Sequence, residues 1–236
     1  MSRTDSEPSG GGHTTFGKCL YDILWVLCRT LGVALFGFRA RFVEPLPKTG
    51  GLIVLSSHQT FLDSLLLGLA TDRRLSSLAR SSLYRFKPFG AIITALDAIP
   101  IDRDTSALKA MKLVIQRLKR GAPVVIFPEG SRTLDGRLGE FKSGFALLAK
   151  RAGVAVMPVA IVGAHECWPR WRWLPRAGRI RLEFGAVLTA EEVAALSEQE
   201  IFAVCTQRIR DLDAKARAAL RGSPPTEPQP RSSASS

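Results

Sequence analysis

The sequence has little that would build a metal centre or a disulfide framework. It contains only three histidines, and its four cysteines are Cys19, Cys28, Cys167 and Cys205. The cysteines have neither the paired spacing of metal ligands nor the clustering of disulfide-rich domains. We therefore predict reduced, structural thiols and no metal site.

Acidic residues are also scarce relative to basic ones. The 33 Lys and Arg outnumber the 21 Asp and Glu, which gives a formal net charge of +12. A field of this sign implies anionic partners, and anionic lipid and nucleic acid are the two candidates. No recognised nucleic-acid signature accompanies the charge, even in the Arg-rich segment 168–181, so nucleic-acid binding is the weaker alternative.

The chain lacks an uninterrupted apolar run of the usual transmembrane length. Residues 19–38 are almost wholly apolar, but Asp22 and Arg29 interrupt them. A spanning helix needs about 18 or more apolar residues, and an arginine at its centre costs about 2.5–3.5 kcal/mol on insertion scales. We therefore predict that residues 16–42 form a membrane-associating helical segment that is interfacial or re-entrant. A buried core helix is the alternative, because periodicity does not separate the two.

Both ends of the chain have the composition of disordered tails. Residues 1–15 are rich in Ser, Gly and Thr, and residues 222–236 are dominated by Pro and Ser. Asp5 and Glu7 lie where a signal peptide would carry positive charge, which opposes secretion. The remaining residues, 43–221, have the length of one folded domain.

Strand and helix patterns alternate after residue 39. Strands are predicted over 51–56, 124–127 and 154–162, and helices over 61–70, 108–118 and 142–153. This alternation predicts an α/β fold with a mixed, largely parallel central sheet flanked by helices, preceded by the membrane-associating helix.

A histidine and an aspartate follow the first predicted strand. His58 and Asp63 are placed at its carboxyl end, where open α/β sheets bind ligands. On one continuous helix this spacing would turn the two side chains about 140° apart, so His58 is predicted in the turn and Asp63 in the first helical turn. Asp63 can then hold one imidazole nitrogen and leave the other as a general base. A hydrogen-bonded core histidine is the alternative.

The stretch Phe-Pro-Glu-Gly-Ser-Arg-Thr at 127–133 has the composition of an anion site. Gly130 permits close backbone approach, Ser131 and Thr133 supply hydroxyl donors, and Arg132 supplies a planar fork for phosphate oxygens. An ordinary β-turn would use the same residues. A serine hydrolase built on Ser131 is less consistent with the sequence, because the G-x-S-x-G elbow is lacking.

Arg103 closes the segment Ile-Asp-Arg between these two stretches. It is a candidate second phosphate ligand. A surface ion pair with Asp102 or Asp104 would explain it equally well and would contribute little.

These motifs, in this order, resemble the glycerolipid acyltransferase family typified by lysophosphatidate acyltransferase. The resemblance covers roughly residues 50–163 and rests on four ordered motifs, where any one alone would be modest. They are the H-x-x-x-x-D box at His58 and Asp63, the Arg block at 101–103, the complete F-P-E-G-S-R box at 127–132, and the Val-Pro block at 156–160. Phe-Lys-Ser-Gly at 141–144 also resembles the Lys-Gly stretch that follows the third box.

The resemblance implies that residues 43–221 form an acyltransferase domain. It implies His58 as the base that takes the acceptor's hydroxyl proton and Asp63 as its orienter. The substrate-binding residues that it implies are Arg103, Glu129, Gly130, Ser131, Arg132 and Pro158, with Pro158 shaping the site or the acyl groove. The expected reaction moves a fatty acyl group from acyl-CoA or acyl carrier protein to 1-acylglycerol-3-phosphate and gives phosphatidic acid, without a further cofactor. Another lyso-lipid is the alternative acceptor.

Two positions depart from the family pattern. Ser57 replaces a frequent Asn, and Pro100 replaces a frequent aromatic residue.

One loop has a composition that suits a bilayer surface. Three of the four tryptophans lie among arginines in residues 168–176, which we name the Trp/Arg loop. Interleaved Trp and Arg suit an anionic membrane surface, although packing of these tryptophans on the core is the alternative. We expect membrane association at the cytoplasmic face of the inner or plasma membrane.

Overall fold

The computed structural model describes residue 30 and residues 36–80, 99–101 and 107–222. The strands are β1 (Arg39–Phe42), β2 (Leu52–Ser56), β3 (Ser76–Arg80), β4 (Ile99–Ile101), β5 (Pro123–Ile126), β6 (Ala155–Val162) and β7 (Arg181–Phe184). The helices are α1 (Asp63–Ala70), α2 (Ala107–Lys119), α3 (Gly144–Ala152), α4 (Ala164–Cys167), α5 (Ala190–Ala195) and α6 (Glu198–Arg221).

The strands form one seven-stranded sheet in the order β1-β7-β6-β2-β5-β3-β4. Every neighbouring pair is parallel except β6 and β7, which are antiparallel. The predicted α/β fold with a mixed, largely parallel sheet is therefore confirmed. Because β7 is antiparallel to β6 and β1 is parallel to β7, β1 begins at the edge of the sheet where β2, β5 and β6 end.

The central strands are almost wholly apolar, apart from Ser56 at the end of β2, because helices cover both of their faces. All five residues of β2 and seven of the eight residues of β6 are buried. One core cluster joins Val54 and Met157 to leucines of α1. The other joins Ile53 and Leu55 to buried residues of α2, α3 and α6. The sheet is thus the middle of three layers, with α1 on one face and the longer helices on the other.

The beginning of the described chain corrects one predicted boundary. The segment predicted as membrane-associating, 16–42, ends in residues that belong to the folded domain. Phe36 is helical, Gly37 has a φ of 46°, and Phe38 is buried in a core cluster. Residues 39–42 form β1, because the backbone there pairs in register with β7. Residues 16–29 and 31–35 of the predicted segment lie outside the described residues.

In residue 30 and residues 36–80, 99–101 and 107–222, no helix combines the length and the apolar character needed to cross a bilayer.

The longest helix, α6, is missing from the strand and helix pattern read from the sequence. It runs for 24 residues from a capping box, in which Ser197 and Glu200 each accept the backbone N–H of the other. Its buried residues include Ile201, Cys205 and Ile209, which pack against β6 and β7. The sequence signal is present at both ends, since Gly222 terminates the helix with a φ of 79°.

Candidate active site

The two polar motifs meet because the strands that precede them are neighbours. β2 and β5 are parallel and adjacent, so their carboxyl ends lie side by side at one edge of the sheet. His58 follows β2, and Glu129 follows β5. The backbone N–H of His58 donates to Glu129 Oε1 over 2.9 Å, across 71 positions of sequence. This edge is where ligands bind in open α/β sheets.

Asp63 is the centre of the first motif. It is fully buried, at 0% exposure, and begins α1. Its Oδ2 accepts the backbone N–H of Gln59 at 2.5 Å and that of Thr60 at 2.9 Å, and it lies 2.8 Å from His58 Nδ1. Its Oδ1 accepts the Thr60 hydroxyl at 3.0 Å. A buried carboxylate requires such donors, and the helix N-terminus adds a favourable dipole.

The imidazole of His58 is fixed in position and in tautomer. Its Nδ1 faces an acceptor oxygen of Asp63, so the Nδ1 proton is assigned there, and Nε2 remains as the basic nitrogen. Its ring lies flat on Phe127, with centroids 3.9 Å apart and planes 14° apart. The side chain is 22% exposed, and Nε2 has no hydrogen-bond partner among the described residues. An oriented, accessible base of this kind can take a proton from a hydroxyl group.

Glu129 joins the two motifs instead of projecting into open space. Its Oε1 accepts the N–H of His58, and its Oε2 accepts the N–H of Gly139 over 3.0 Å. Burial raises the pKa of Glu129, while these two backbone hydrogen bonds act to lower it. Both oxygens are thus used by the protein itself, which makes Glu129 a positioning residue. Its predicted contact with the acceptor stays a prediction.

The other residues of the second motif occupy the exposed turn next to Glu129. Gly130 has a φ of 71°, and a side-chain carbon built there would lie 3.1 Å from Lys142 Nζ. Ser131 is exposed, and the Arg132 guanidinium lies over the Phe61 ring, 3.4 Å from its centroid. Because Phe61 belongs to the first motif, Arg132 stands beside the His58 turn. The predicted anion-binding roles of these residues stay predictions.

Two other predicted residues are not brought into this cluster. Arg103 lies outside the described residues. Pro158 is buried within β6 opposite Leu55 of β2, and its ring faces the backbone of Gly185. Its predicted influence on an acyl groove stays a prediction. In the part of the chain that the structure describes, no group of three or more His, Cys, Asp or Glu side chains is arranged to hold a metal ion.

Four residues that hold the site in place were not among the site residues predicted from the sequence. Gln59 and Thr60 bind Asp63, Phe127 supports the imidazole ring, and Gly139 donates to Glu129. A Cβ at Gly139 would lie 2.9 Å from Glu129 Oε2, which explains the glycine. The signal for Thr60 was present, because a hydroxyl residue three positions before an acidic residue at a helix start is a capping pattern. No local signal marks Gly139.

A buried carboxylate, an oriented imidazole and a glycine turn at one edge of an α/β sheet suit an enzyme that removes a proton from a hydroxyl group. Comparison with known proteins gives the family. The model of the acyltransferase family matches residues 38–162, more than half of the chain. The chain therefore belongs to the acyltransferase family.

Curated relatives agree with this assignment. The chain is 34% identical to a 1-acyl-sn-glycerol-3-phosphate acyltransferase of Pseudomonas aeruginosa, over 67% of this chain and 62% of the relative. It is 28% identical to the enzyme of that name from Bacillus subtilis, over 73% of this chain and 86% of the relative.

The crystal structure of the 1-acyl-sn-glycerophosphate acyltransferase PlsC from Thermotoga maritima has the same fold, with a TM-score of 0.68 at 24% identity. The match covers 84% of this chain and 81% of that one. The chain spans less than two thirds of the length of the first curated relatives, only 36% for a chloroplastic enzyme of Arabidopsis thaliana that shares 33% identity over 54% of this chain.

The two hydrogen bonds to Glu129 predict the effect of Glu129→Gln. An amide has one acceptor oxygen, so the N–H of either His58 or Gly139 loses its partner at a buried position. We expect the free energy of unfolding to fall by about 1–3 kcal/mol in chemical denaturation. Glu140→Gln, at an exposed position of the same segment, is the control and should be near neutral.

The difference in stability between wild type and Glu129→Gln is expected to depend on pH. Because the folded-state pKa of Glu129 is raised, the folded chain binds this proton more tightly than the unfolded chain, in which the pKa of a glutamate is about 4.3. Wild-type stability relative to Glu129→Gln should therefore decrease as the pH rises from the unfolded value through the folded one. If the stability of wild type relative to Glu129→Gln increased with pH over this range, the burial of Glu129 would be contradicted.

Proposed function

We propose that the chain transfers a fatty acyl group from a thioester to the free hydroxyl of 1-acylglycerol-3-phosphate, which gives phosphatidic acid for phospholipid synthesis. The observation that carries the proposal is the His58 imidazole, held by Asp63 at 2.8 Å and accessible at the sheet edge. The printed names of the relatives from Pseudomonas aeruginosa and Bacillus subtilis support this acceptor. Another lyso-lipid is the alternative acceptor.

The reaction needs one base and two aligned substrates. His58 Nε2 takes the proton of the acceptor hydroxyl as its oxygen attacks the thioester carbonyl carbon. The tetrahedral species then expels the thiolate, the carbon–sulfur bond breaks, and the imidazolium returns the proton to sulfur. The products are an oxygen ester and a free thiol. Asp63 stabilises the imidazolium, as the second partner of a hydrogen-bonded acid–base pair does.

We propose direct transfer without an acyl-enzyme, with acyl-CoA or acyl carrier protein as the thioester and no further cofactor. A thioester is already activated, so alignment and a base can suffice. The two cysteines in the described residues do not suit a nucleophile. Burial raises the pKa of Cys167 and of Cys205 to about 11, which keeps both thiols protonated near neutral pH.

The acceptor's phosphate is proposed to bind at the turn after β5. Arg132 brings a guanidinium next to the His58 turn, and Lys142 brings an ammonium group over Gly130. Two cations and an exposed glycine turn with a positive φ suit phosphate oxygens. We propose Arg132, Gly130 and Ser131 as phosphate contacts, together with Arg103 from outside the described residues.

The Trp/Arg loop is proposed to meet an anionic membrane surface. Trp171 and Trp173 are 72% and 89% exposed, and Leu174 is 70% exposed. Arginines 170, 172 and 176 are exposed around them. Exposed indoles among arginines suit the headgroup region, and the loop precedes β7 at the edge that carries His58. We propose that this loop and residues 16–35 of the predicted membrane-associating segment place the enzyme at the cytoplasmic face of the inner or plasma membrane.

The test of the proposed reaction is acyl transfer by purified protein, followed by mass spectrometry of the product lipid. We expect phosphatidic acid from 1-acylglycerol-3-phosphate. His58→Ala should remain folded and lose transfer by about 100- to 10,000-fold, the usual range for a missing general base. Asp63→Asn should also lower turnover. Near-normal turnover by a folded His58→Ala variant would rule out the mechanism.

Arg132 predicts a selective effect on the acceptor. Arg132→Ala removes a charge-assisted hydrogen bond of about 1.5–3 kcal/mol, so the acceptor KM should rise by about one to two orders of magnitude while the donor KM changes little. Arg132→Lys should restore only part of the affinity, because a point charge lacks the bidentate fork. Steady-state kinetics with each substrate varied in turn would measure this. A rise confined to the donor KM would show that the assignment is reversed.

The Trp/Arg loop predicts a local contribution to membrane binding. Replacing Arg170, Arg172 and Arg176 by Gln should weaken flotation with anionic vesicles at low salt, by about 1 kcal/mol per arginine near the surface. Turnover of a detergent-dispersed acceptor should be retained. The control replaces three exposed arginines elsewhere, Arg120, Arg151 and Arg210, and removes the same net charge. Equal loss in both triple variants would show that net charge, not the loop, binds the vesicles.

A further inference from the structure

We propose that Arg217 of α6 is a positioning residue for the catalytic turn, an inference that rests on the proposed function. Arg217 lies 55 positions beyond the end of the family match at residue 162, so the family model does not include it. It nevertheless touches the backbone that holds the residue after His58. The helix that packs on the sheet thereby fixes the geometry at the reacting edge.

Arg217 is itself anchored before it reaches the turn. Its Nε donates to Asp213 Oδ2 at 2.7 Å, and its Nη2 donates to Asp213 Oδ1 at 3.2 Å. The hydrogen bonding that Arg217 donates to the Asp213 carboxylate is the largest cause of the raised pKa of Arg217. Asp213 is buried and lies one helical turn away on α6. The planar guanidinium is therefore held in one orientation, which a lysine could not reproduce.

The same guanidinium also donates to the turn that follows the second motif. Arg217 Nη2 donates to the carbonyl oxygen of Gly136 over 2.6 Å, across 81 positions of sequence. That oxygen also accepts Gln59 Nε2 over 3.2 Å. The Gln59 amide is oriented by its other end, because Gln59 Oε1 accepts the backbone N–H of His165 over 3.1 Å. Arg217 and Gln59 thus meet at one shared acceptor.

From this acceptor the network reaches the base in two short steps. The Gln59 backbone N–H donates to Asp63 Oδ2, the oxygen that also faces His58 Nδ1. On the other side, the Gly136 N–H donates to Thr133 Oγ1 over 3.1 Å, and the Thr133 N–H donates to the carbonyl oxygen of His58 over 2.9 Å. The His58 turn is therefore fixed on both sides by the turn that Arg217 holds.

Such a contact acts on the alignment of the base and not on substrate affinity. Displacement of a reacting group by about 1 Å lowers turnover by about 100-fold. Loss of Arg217 should therefore reduce kcat and leave the KM of both substrates nearly unchanged. A residue that only stabilised the fold would lower the melting temperature and leave kcat of the folded fraction intact.

The experiment measures kcat, both KM values and thermal unfolding for Arg217→Met, with Arg210→Met at an exposed position of α6 as the control. We expect a fall in kcat of about 10- to 100-fold for Arg217→Met, KM values within about twofold of wild type, and wild-type kinetics for Arg210→Met. Arg217→Lys should recover only part of kcat. Wild-type kcat in folded Arg217→Met would overturn the proposal.

A double-mutant cycle tests whether the effect passes through Gly136. Gln59→Ala and Arg217→Met should together lower kcat by less than the product of their separate effects, because both remove a donor from one oxygen. A full product would overturn the shared route. Where Arg217→Met does not fold, Arg217→Lys enters the cycle in its place.

A readout without substrate keeps this inference separate from the proposed reaction. Hydrogen exchange at the Thr133 and Gly136 amides should be faster in Arg217→Met than in Arg210→Met. If wild-type protein transfers no acyl group, the proposed function fails while faster exchange still supports the contact. If wild-type protein is active and exchange is unchanged in Arg217→Met, the positioning role fails alone.

Discussion

The burial of the Asp63 carboxylate is the constraint on which the rest of the site depends. A charge at 0% exposure is stable only where donors surround it, and here four donors converge on its two oxygens. Two of them are backbone N–H groups of the loop between β2 and α1, so the backbone conformation of this loop is fixed. The imidazole of His58 is the fourth donor, and its direction follows from the same conformation.

A second carboxylate extends this constraint from one loop to two. Glu129 accepts a backbone N–H from the loop after β2 and another from its own loop, so neither loop can move alone. The arrangement exists because β2 and β5 are neighbours in the sheet. Glu129, which the family resemblance implies as a substrate contact, thus also joins the two loops of the site. Arg217 of α6 adds a further contact, from the helical layer on the other face of the sheet from α1, through its hydrogen bond to Gly136.

The sequence predicts the parts of this structure that depend on local pattern. The strand, the turn with His58 and the helix that begins at Asp63 follow from apolar runs and spacing, and the structure has them within two residues. The partners of Glu129 and Arg217 do not follow, because they lie up to 81 positions away and depend on which strands are adjacent. The boundary at residue 42 was wrong for a related reason. Strand β1 is four residues long and mostly exposed, so only its pairing with β7 defines it.

The antiparallel pairing of β6 with β7 makes the two edges of the described sheet different. It turns the start of β1 and the Trp/Arg loop toward the edge that carries His58, while the opposite edge is closed where Arg73 donates to the carbonyl oxygens of Pro47, Gly50 and Gly121. On the proposed function, an enzyme that faces the bilayer with this edge would collect its acceptor by lateral diffusion within one leaflet. Its rate would then follow the mole fraction of lyso-lipid in the membrane, so that adding inert phospholipid would slow the enzyme although the bulk acceptor concentration is constant.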